Sequence, residues 1–227
     1  MGTPNCEKIE LLSLSGENVT IRILLADDHA MVRRGLRMVL ESGGFEVAVE
    51  ASNGLEALDL CQSVRPDVAV LDISMPLLNG LDAAAEILKR HPKTKVILLT
   101  AHRQERYVAE GLRQGVTGYL LKESAPEELV NAVRTVGEGA VYLGSGVPHS
   151  VVQSFSGKAD DSGSSLSSRE RQVLQLIAEG KSMKEIGALL GVSSRTADLH
   201  RHKIMTKLGL HDIASLVRYA IRIGLIV

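Results

Sequence analysis

Short apolar runs alternate with amphipathic segments from residue 21 onward. The runs with the length and composition of β-strands are residues 21–26, 45–49, 68–71, 96–99 and 118–121. The intervening segments carry apolar residues at helical spacing, and a last helix is expected over residues 126–138, opened by Pro126. Because the strands are almost uniformly apolar, the alternation predicts a parallel, doubly wound sheet with helices on both faces.

A stretch rich in glycine and serine follows this α/β unit and is typical of a linker. The rest of the chain is helical by periodicity. Two capping boxes, Ser167 with Glu170 and Ser182 with Glu185, open the first two of four expected helices. The predicted units are an N-terminal extension at 1–20, an α/β domain at 21–143, a linker at 144–164 and a helical domain at 165–227.

The charges divide unevenly between the two parts of the chain. Residues 1–165 contain 16 lysines and arginines against 22 acids, whereas residues 166–227 contain 10 against 5. The net charge of the whole chain, −1, hides this asymmetry. The basic C-terminal part suits a polyanion such as DNA, and a merely solvated basic surface is the alternative.

The cysteine content and the hydropathy of the chain bear on its location. Only Cys6 and Cys61 are present, far apart and without partners at metal-ligand spacing. This predicts a reducing compartment and no disulfide framework. The apolar stretches are too short to span a bilayer, and the N-terminus lacks the pattern of a secretory signal. We therefore expect a cytoplasmic protein with no membrane partner.

Polar residues stand at the carboxyl ends of the predicted strands, where open α/β sheets bind their ligands. Asp27 and Asp28 follow the first strand, and Asp72, Thr100 and Lys122 follow the third, fourth and fifth. Clustered carboxylates raise one another's pKa values unless a cation neutralises them, so a hard divalent ion, Mg²⁺, is expected. One carboxylate could then attack a phosphoryl group while the metal and the lysine stabilise charge on its oxygens.

Each of these residues also has an ordinary structural interpretation. Asp28 could be only the N-cap of the following helix, Lys122 a surface lysine, and Thr100 a residue at a strand end. Their joint placement at one edge of the sheet favours a phosphoryl site.

The motifs at this edge resemble those of the receiver domains of two-component response regulators, over about residues 21–143. The matching motifs are Leu25-Ala-Asp-Asp-His29, Asp72-Ile-Ser-Met-Pro76, Asn79-Gly80, Thr100-Ala101 and Gly118-Tyr-Leu-Leu-Lys122. The resemblance implies a flavodoxin-like (βα)5 fold in which Asp72 accepts a phosphoryl group from a histidine kinase. It further implies that Asp28 and Asp72 bind Mg²⁺, with Asp27 through water and with the backbone carbonyl of Ser74.

The same resemblance implies how phosphorylation is sensed. Thr100 and Tyr119 would form a switch pair, in which the hydroxyl moves to the new phosphoryl oxygen and the aromatic ring follows inward. Ala101 and Lys122 would complete the phosphate site beside this pair.

The third helix of the helical domain carries the candidate DNA-reading residues. Its expected buried face includes Ala197, Ile204 and Leu208. The opposite face would present Arg195, Asp198, Leu199 and His202 to base edges. Better placed for phosphates are Lys184, Thr196, Arg201, Lys203 and Lys207. A small helical bundle with a solvated basic face is the alternative.

Further motifs resemble the LuxR-type DNA-binding domain over about residues 165–227. They are Leu166-Ser-Ser-Arg-Glu-Arg171, Gly180-Lys-Ser-Met-Lys-Glu-Ile186, Leu190-Gly-Val-Ser193, Arg195-Thr196, His200-Arg201 and Lys207-Leu208-Gly209. With the receiver in front, the whole chain resembles the NarL/FixJ subfamily of response regulators. That resemblance implies a four-helix helix-turn-helix domain, double-stranded promoter DNA as a partner, and a homodimer formed through the fourth helix.

The sequence therefore predicts a phosphorylation-controlled transcription regulator rather than an enzyme. A flavodoxin-like redox protein is disfavoured because Asp27 and Asp28 would repel a flavin phosphate, and an aspartate-based phosphatase because Ser74 stands where a second acid is needed. A receiver whose C-terminal module docks on proteins is a third hypothesis. Two routes of signal transmission stay open: the unphosphorylated receiver could cover the recognition helix, or phosphorylation could build a receiver dimer.

Overall fold

The structure, a computed structural model, describes residues 20–101, 105–145 and 166–226. The predicted N-terminal extension and linker lie outside the described residues, apart from residues 20, 144 and 145. The strands are β1 Arg22–Ala26, β2 Glu46–Ala51, β3 Val68–Asp72, β4 Lys95–Thr100, β5 Gly118–Leu121 and β6 Tyr142–Leu143. The helices among them are α1 Ala30–Ser42, α2 Gly54–Val64, α3 Gly80–Arg90, α4 Glu105–Gln114 and α5 Pro126–Gly137.

The strands form one parallel sheet in the order β2-β1-β3-β4-β5-β6. The chain runs outward to β2 and then crosses back over β1 to β3, so the order reverses between β1 and β3. The five expected strands are confirmed within two residues at each end. The sequence prediction missed β6, because a strand of two residues carries no periodicity that a sequence can reveal.

The sheet separates two apolar cores, one on each face. One core combines strand residues such as Leu24 and Leu71 with side chains of α2, α3 and α4, including Ile87. The other combines strand residues such as Ile23 with α1 and α5, including Val133. Burial of both faces explains the uniformly apolar strands and confirms the predicted doubly wound architecture.

The helical domain contains four helices within residues 166–226. They are α6 Ser168–Ala178, α7 Met183–Leu189, α8 Ser194–Leu208 and α9 Ile213–Arg222. Both capping boxes form as the sequence predicts, at Ser167 with Glu170 and at Ser182 with Glu185. The third helix ends at Gly209, whose backbone is left-handed with φ of 64°.

A separate apolar core holds the four helices together. Its fully buried members include Leu174 of α6, Ile186 of α7, Ile204 of α8 and Leu216 of α9. This core fixes the crossing of α7 and α8 and leaves one side of α8 outside it. Within the part of the chain that the structure describes, no helix combines the length and apolar character of a membrane span.

Candidate functional site

The carboxyl ends of β1, β3 and β5 bring three charged side chains together. Lys122 Nζ lies 2.7 Å from Asp27 Oδ2 and 2.8 Å from Asp72 Oδ2. Burial raises the pKa of Asp72 above its usual value, although Lys122 opposes this shift. Burial also lowers the pKa of Lys122, but its bonds to Asp27 and Asp72 outweigh that effect, and the net pKa is raised. Two buried carboxylates share one ammonium, so the site suits a further cation.

Candidate metal ligands meet at the same place. One donor atom from each of Asp27, Asp28, His29 and Asp72 lies within 4.8 Å of all the others. A hard divalent ion prefers oxygen, so the three aspartates fit Mg²⁺ best. The backbone N–H of His29 donates to Asp27 Oδ1 at 2.8 Å, and its Nδ1 lies 2.6 Å from Asp28 Oδ1. His29 was not predicted as a site residue, because its position after the two aspartates gave no separate signal.

The structure also decides one alternative for Asp28. The residue at the N-cap position of α1 is His29, and its side chain makes no capping bond. Asp28 lies one residue earlier, where its side chain is partly exposed and turned to the acidic cluster. The interpretation of Asp28 as only a helix cap is therefore wrong.

The loop after β3 folds back beside Asp72. The backbone N–H of Ser74 donates to the Asp72 carboxylate, which partly offsets the effect of burial on its pKa. The N–H of Gly80 donates to the carbonyl of Ile73 at 2.9 Å, and Asn79 caps α3. This loop connects the acidic cluster to the start of α3. A metal bond to the Ser74 carbonyl stays a prediction.

Of the expected switch residues, Thr100 is the last residue of β4 and Tyr119 lies within the neighbouring strand β5. Thr100 is 2% and Tyr119 3% exposed, and burial raises the pKa of Tyr119 to about 12, although the nearby Thr100 side chain opposes this shift. Ala101 follows Thr100 and is exposed beside the sheet edge. The backbone N–H of Lys122 donates to the Thr100 carbonyl at 2.7 Å. The inward movement that the family resemblance implies for the Tyr119 ring would therefore start, in this structure, from a ring that is already buried.

One face of α8 is open to solvent and carries residues predicted to read bases. Arg195, Leu199 and His202 are exposed, and Leu199 keeps 55% of its surface accessible. Asp198 is held within the helix, with Oδ1 2.8 Å from Arg201 NH2 and Oδ2 3.5 Å from His202 Nε2. Reading of cytosine by Asp198 would have to compete with these two partners.

The candidate phosphate contacts differ in their surroundings. Lys184 on α7 and Lys203 on α8 are exposed. Lys207 Nζ lies 2.9 Å from Glu170 Oε2, so its charge is partly compensated inside the domain. Thr196 donates its backbone N–H to the capping Ser193, while Arg201 is engaged by Asp198. The roles of all these residues on DNA stay predictions.

The two domains touch through residues to which the sequence assigned no functional role. They are Met75, Leu77, Asn79, Asp82, Tyr107, Glu110, Arg171, Gln175, Glu179 and Ile223. The Tyr107 hydroxyl donates to the Ile223 carbonyl at 2.6 Å, and Leu77 packs against the core of the helical domain. Among the described residues, the hydrogen bonds and ion pairs between domains come from α6 and the segment after α9 and not from α8. Of the two routes of signal transmission left open by the sequence, covering of the recognition helix by the receiver does not describe this conformation.

Two family models match the two domains. Residues 23–134 match the response regulator receiver domain, and residues 164–220 match the bacterial regulatory proteins of the luxR family. The transcriptional regulatory protein MctR of Rhizobium johnstonii is 37% identical over 212 residues, which cover 92% of this chain and 97% of that protein. The oxygen regulatory protein NreC of Staphylococcus aureus is 39% identical over 211 residues, covering 89% of this chain and 97% of that protein.

Solved structures show the same organisation. The RcsB response regulator of Salmonella typhimurium, described in terms of conformational dynamism for DNA interaction, superposes with a TM-score of 0.61 at 26% identity, covering 88% of this chain and 96% of that chain. Another RcsB structure contains two dimers bound to two parallel DNAs, with a TM-score of 0.53 at 26% identity, covering 88% of this chain and 97% of that chain. The similarity thus extends over both domains.

Proposed function

This chain belongs to the response regulators that join a receiver domain to a LuxR-type DNA-binding domain, and on that premise we propose that phosphorylation of Asp72 by a histidine kinase controls its dimerisation and its binding to promoter DNA. The protein is a DNA-binding regulator of transcription and not a classical enzyme. The observation that carries the proposal is Lys122 between the buried carboxylates of Asp27 and Asp72, beside a third aspartate.

The chemistry follows from this arrangement. An Asp72 oxygen attacks the phosphorus of a phosphohistidine, a P–O bond forms, the P–N bond breaks and the kinase imidazole leaves. Bound Mg²⁺, held by Asp27, Asp28, Asp72 and the Ser74 carbonyl, would neutralise phosphoryl oxygens. Lys122 supplies a second fixed positive charge to the same oxygens. Later attack of water on the phosphorus of the acyl phosphate breaks the bond to the Asp72 oxygen, releases inorganic phosphate and restores the carboxylate. The chain therefore catalyses only its own phosphorylation and dephosphorylation.

Thr100, Ala101 and Tyr119 form the sensing part of the proposed site. The Thr100 hydroxyl lies at the end of β4 and could donate to a phosphoryl oxygen on Asp72. The backbone N–H of Ala101 would donate to a second oxygen. Thr100 and Tyr119 lie on the paired strands β4 and β5, so a movement of the Thr100 side chain could be passed to the Tyr119 ring.

The DNA-binding surface is proposed to be the exposed face of α8 with flanking lysines. Arg195 is suited to guanine, and Leu199 to the methyl group of thymine. Lys184 and Lys203 are exposed and suited to backbone phosphates, which set the register on the duplex without reading sequence. The exposed Ile213 and Ile221 of α9 offer an apolar surface for a second copy. The RcsB structure that contains dimers bound to DNA supports a dimeric DNA-bound state.

The proposed setting is the cytoplasm, where a histidine kinase and promoter DNA are both accessible. The two cysteines without partners at ligand spacing support a reducing compartment. Phosphorylation would favour dimers, and two half-sites related by a dyad would bind such a dimer.

Binding to DNA with and without a phosphoryl mimic tests the proposed function. A duplex is first selected from a random pool by the protein in the presence of Mg²⁺ and beryllofluoride, and its affinity is then measured by fluorescence anisotropy. We expect the mimic to tighten binding by wild type and to leave Asp72→Asn unchanged. Asp67→Asn, an aspartate at the opposite end of β3 that accepts a hydrogen bond from Arg22, is the matched control. Identical affinities with and without the mimic would reject control through Asp72.

A further inference from the structure

Three polar side chains on one face of α6 point at the receiver. Arg171, Gln175 and Glu179 follow one another at intervals of four residues, so they form a single stripe along the helix. Gln175 is 1% exposed, which is unusual for a glutamine on the surface of a four-helix domain. A buried polar stripe is stable only where the facing surface supplies partners, and here that surface is the receiver.

Arg171 joins two receiver helices. Its Nε lies 2.9 Å from Asp82 Oδ2 in α3, and its NH2 lies 2.8 Å from Glu110 Oε1 in α4. Asp82 is 1% exposed, and Arg171 keeps 16% of its side-chain surface. The ion pair between Arg171 and Asp82 is therefore well desolvated. Removing the Arg171 cation would leave the buried Asp82 carboxylate without its ion-pair partner.

Gln175 and Glu179 bind the backbone of the loop between β3 and α3. Gln175 Nε2 donates to the Met75 carbonyl at 2.7 Å, and its Oε1 accepts from the Asn79 N–H at 3.0 Å. The Glu179 carboxylate accepts from the Leu77 N–H at 3.0 Å. The backbone of Leu77 is held in the left-handed region with φ of 67°, a conformation that residues other than glycine rarely adopt.

The same loop begins at the phosphoacceptor. Ile73, the first residue of the loop, directly follows Asp72, and the loop returns to the same strand end, where the Gly80 N–H donates to the Ile73 carbonyl at 2.9 Å. A new group on the Asp72 carboxylate therefore acts at the point where both ends of the loop are held. The helical domain also lies beside the opening of the acidic site. A cavity of about 180 Å³ is lined on one side by Asp28 and Ser74 and on the other by Gln175 and Glu179.

We propose that the stripe Arg171, Gln175 and Glu179 is a latch that holds the loop of residues 73–79 in its unphosphorylated arrangement. The proposal rests on Asp72 as the phosphoacceptor. Phosphorylation rearranges the loop, the backbone groups that Gln175 and Glu179 bind are displaced, and α6 is released with the rest of its domain. The latch controls the freedom of the DNA-binding domain to pair with a second copy, since the outward face of α8, with Leu199, is exposed while the latch is closed.

The coupling must be reciprocal. If a phosphoryl group on Asp72 favours the released state, then any change that weakens the latch must favour a phosphoryl group or its mimic on Asp72. The apparent affinity for the mimic equals the affinity of the open state multiplied by the fraction of molecules whose latch is open, so a mostly closed latch weakens binding. This reciprocity can be measured without DNA and without the kinase.

The test uses the full chain, Mg²⁺ and beryllofluoride, with titration followed by calorimetry. Arg171→Met keeps the alkyl stem and removes the charge, and Glu110→Gln removes only the less buried of the two acids. We expect the mimic to bind on the order of tenfold tighter to Arg171→Met, and roughly threefold tighter to Glu110→Gln. Arg90→Met, which breaks an ion pair with Glu86 inside α3, is the matched control and should bind as wild type does.

A second readout reports the latch itself. The Leu77 and Asn79 amides donate across the interface, so their hydrogen exchange should accelerate by on the order of tenfold in both latch variants and stay unchanged in Arg90→Met. Faster exchange with unaltered affinity for the mimic would make the stripe a purely structural contact and overturn the coupling. Unaltered exchange would overturn the latch.

The outcomes separate this proposal from the proposed function. If wild type and every variant fail to bind beryllofluoride, Asp72 is not the phosphoacceptor, and the proposed function and the latch are both rejected. If wild type binds the mimic and the latch variants bind it equally well, only the latch is rejected. The circular dichroism of each variant shows whether it is folded, and the mild Glu110→Gln change keeps the test decisive where Arg171→Met does not fold.

Discussion

Gly80 lies against the backbone of Asp72 so closely that a Cβ at Gly80 would stand 2.0 Å from the Asp72 carbonyl oxygen. No real Cβ approaches an oxygen to that distance. Asp72 and the first residue of α3 are therefore in direct backbone contact, and the absence of a side chain at Gly80 is a condition for the geometry of the site.

Gly80→Ala should displace the end of β3 and destabilise the receiver. The added methyl group has backbone on its far side, which cannot rotate away, so we expect a loss of roughly 1–3 kcal/mol in the free energy of unfolding. Urea denaturation measures it. Gly35→Ala is the control, because a Cβ there meets nothing within 4 Å and alanine favours the helix α1. Equal stability of the two variants would contradict the close contact.

Lys122→Ala should slow phosphorylation of Asp72 from a small donor such as phosphoramidate. The ammonium is 2.8 Å from Asp72 Oδ2, so it lies where it can stabilise charge on the transferring group. We expect a decrease of roughly 100-fold in the rate, measured by intact mass with Mg²⁺ in excess. Lys89→Ala, on the exposed side of α3, should phosphorylate at the rate of wild type.

As the pH is lowered, the affinity for magnesium should begin to fall at a higher pH than it would at an ordinary aspartate site. Burial raises the pKa of Asp72, and a proton on Asp72 competes with the metal. The affinity is therefore complete above that raised pKa and is lost as the pH falls through it. Calorimetric titrations across pH follow this directly, which suits a chain that has no tryptophan. Asp72→Asn should bind Mg²⁺ weakly with little pH dependence; an unchanged profile would exclude Asp72 as a ligand.

Salt dependence of DNA binding should distinguish two lysines of α8. Lys203 is exposed, whereas Lys207 is 2.9 Å from Glu170 and is partly neutralised inside the domain. We expect Lys203→Ala to reduce the slope of log affinity against log salt by about 0.9, the value for one phosphate contact. Lys207→Ala should reduce it less, and a larger effect at Lys207 would show that DNA displaces Glu170.

Ser167→Ala should destabilise the helical domain by about 1 kcal/mol, the usual cost of losing an N-cap.

The bond from the Ser167 N–H lowers the pKa of Glu170, with Lys207 adding to this. A lowered pKa contributes stability that is present above the ordinary value near 4.5 and is lost as the pH falls through the lower one. Acid unfolding of wild type measures this loss. Ser168→Ala, one residue inside α6, should change neither stability nor pH dependence appreciably.

Local patterns along the chain are sufficient to predict most of the fold. The alternation of apolar runs and amphipathic segments predicted the parallel sheet, and Ser167, Ser182 and Gly209 marked helix ends where the structure has them. These signals are reliable because caps and turns are decided by residues within one helical turn of each other. The convergence of Asp27, Asp72 and Lys122 was also predictable, since the carboxyl ends of parallel strands meet at one edge.

The contact between the domains could not be read from the chain. Arg171 and Asp82 are separated by 89 residues. No periodicity connects them, and each alone fits a solvated surface position. Likewise nothing local identified β6, whose two residues are a strand only because β5 lies beside them. Such features depend on which surfaces meet after folding.

The sequence by itself therefore determined the two folds, the acidic site and the helix α8 with its candidate DNA-reading face, because each is specified by short-range chemistry repeated along the chain. Only the tertiary structure decided that α6, rather than α8, is held by the receiver, and that Gln175 is bonded to the loop beside Asp72. The physical reason is that the burial and pairing of a polar group depend on both of the surfaces that meet. A sequence gives the chemistry of each surface but does not show which other surface lies against it after folding.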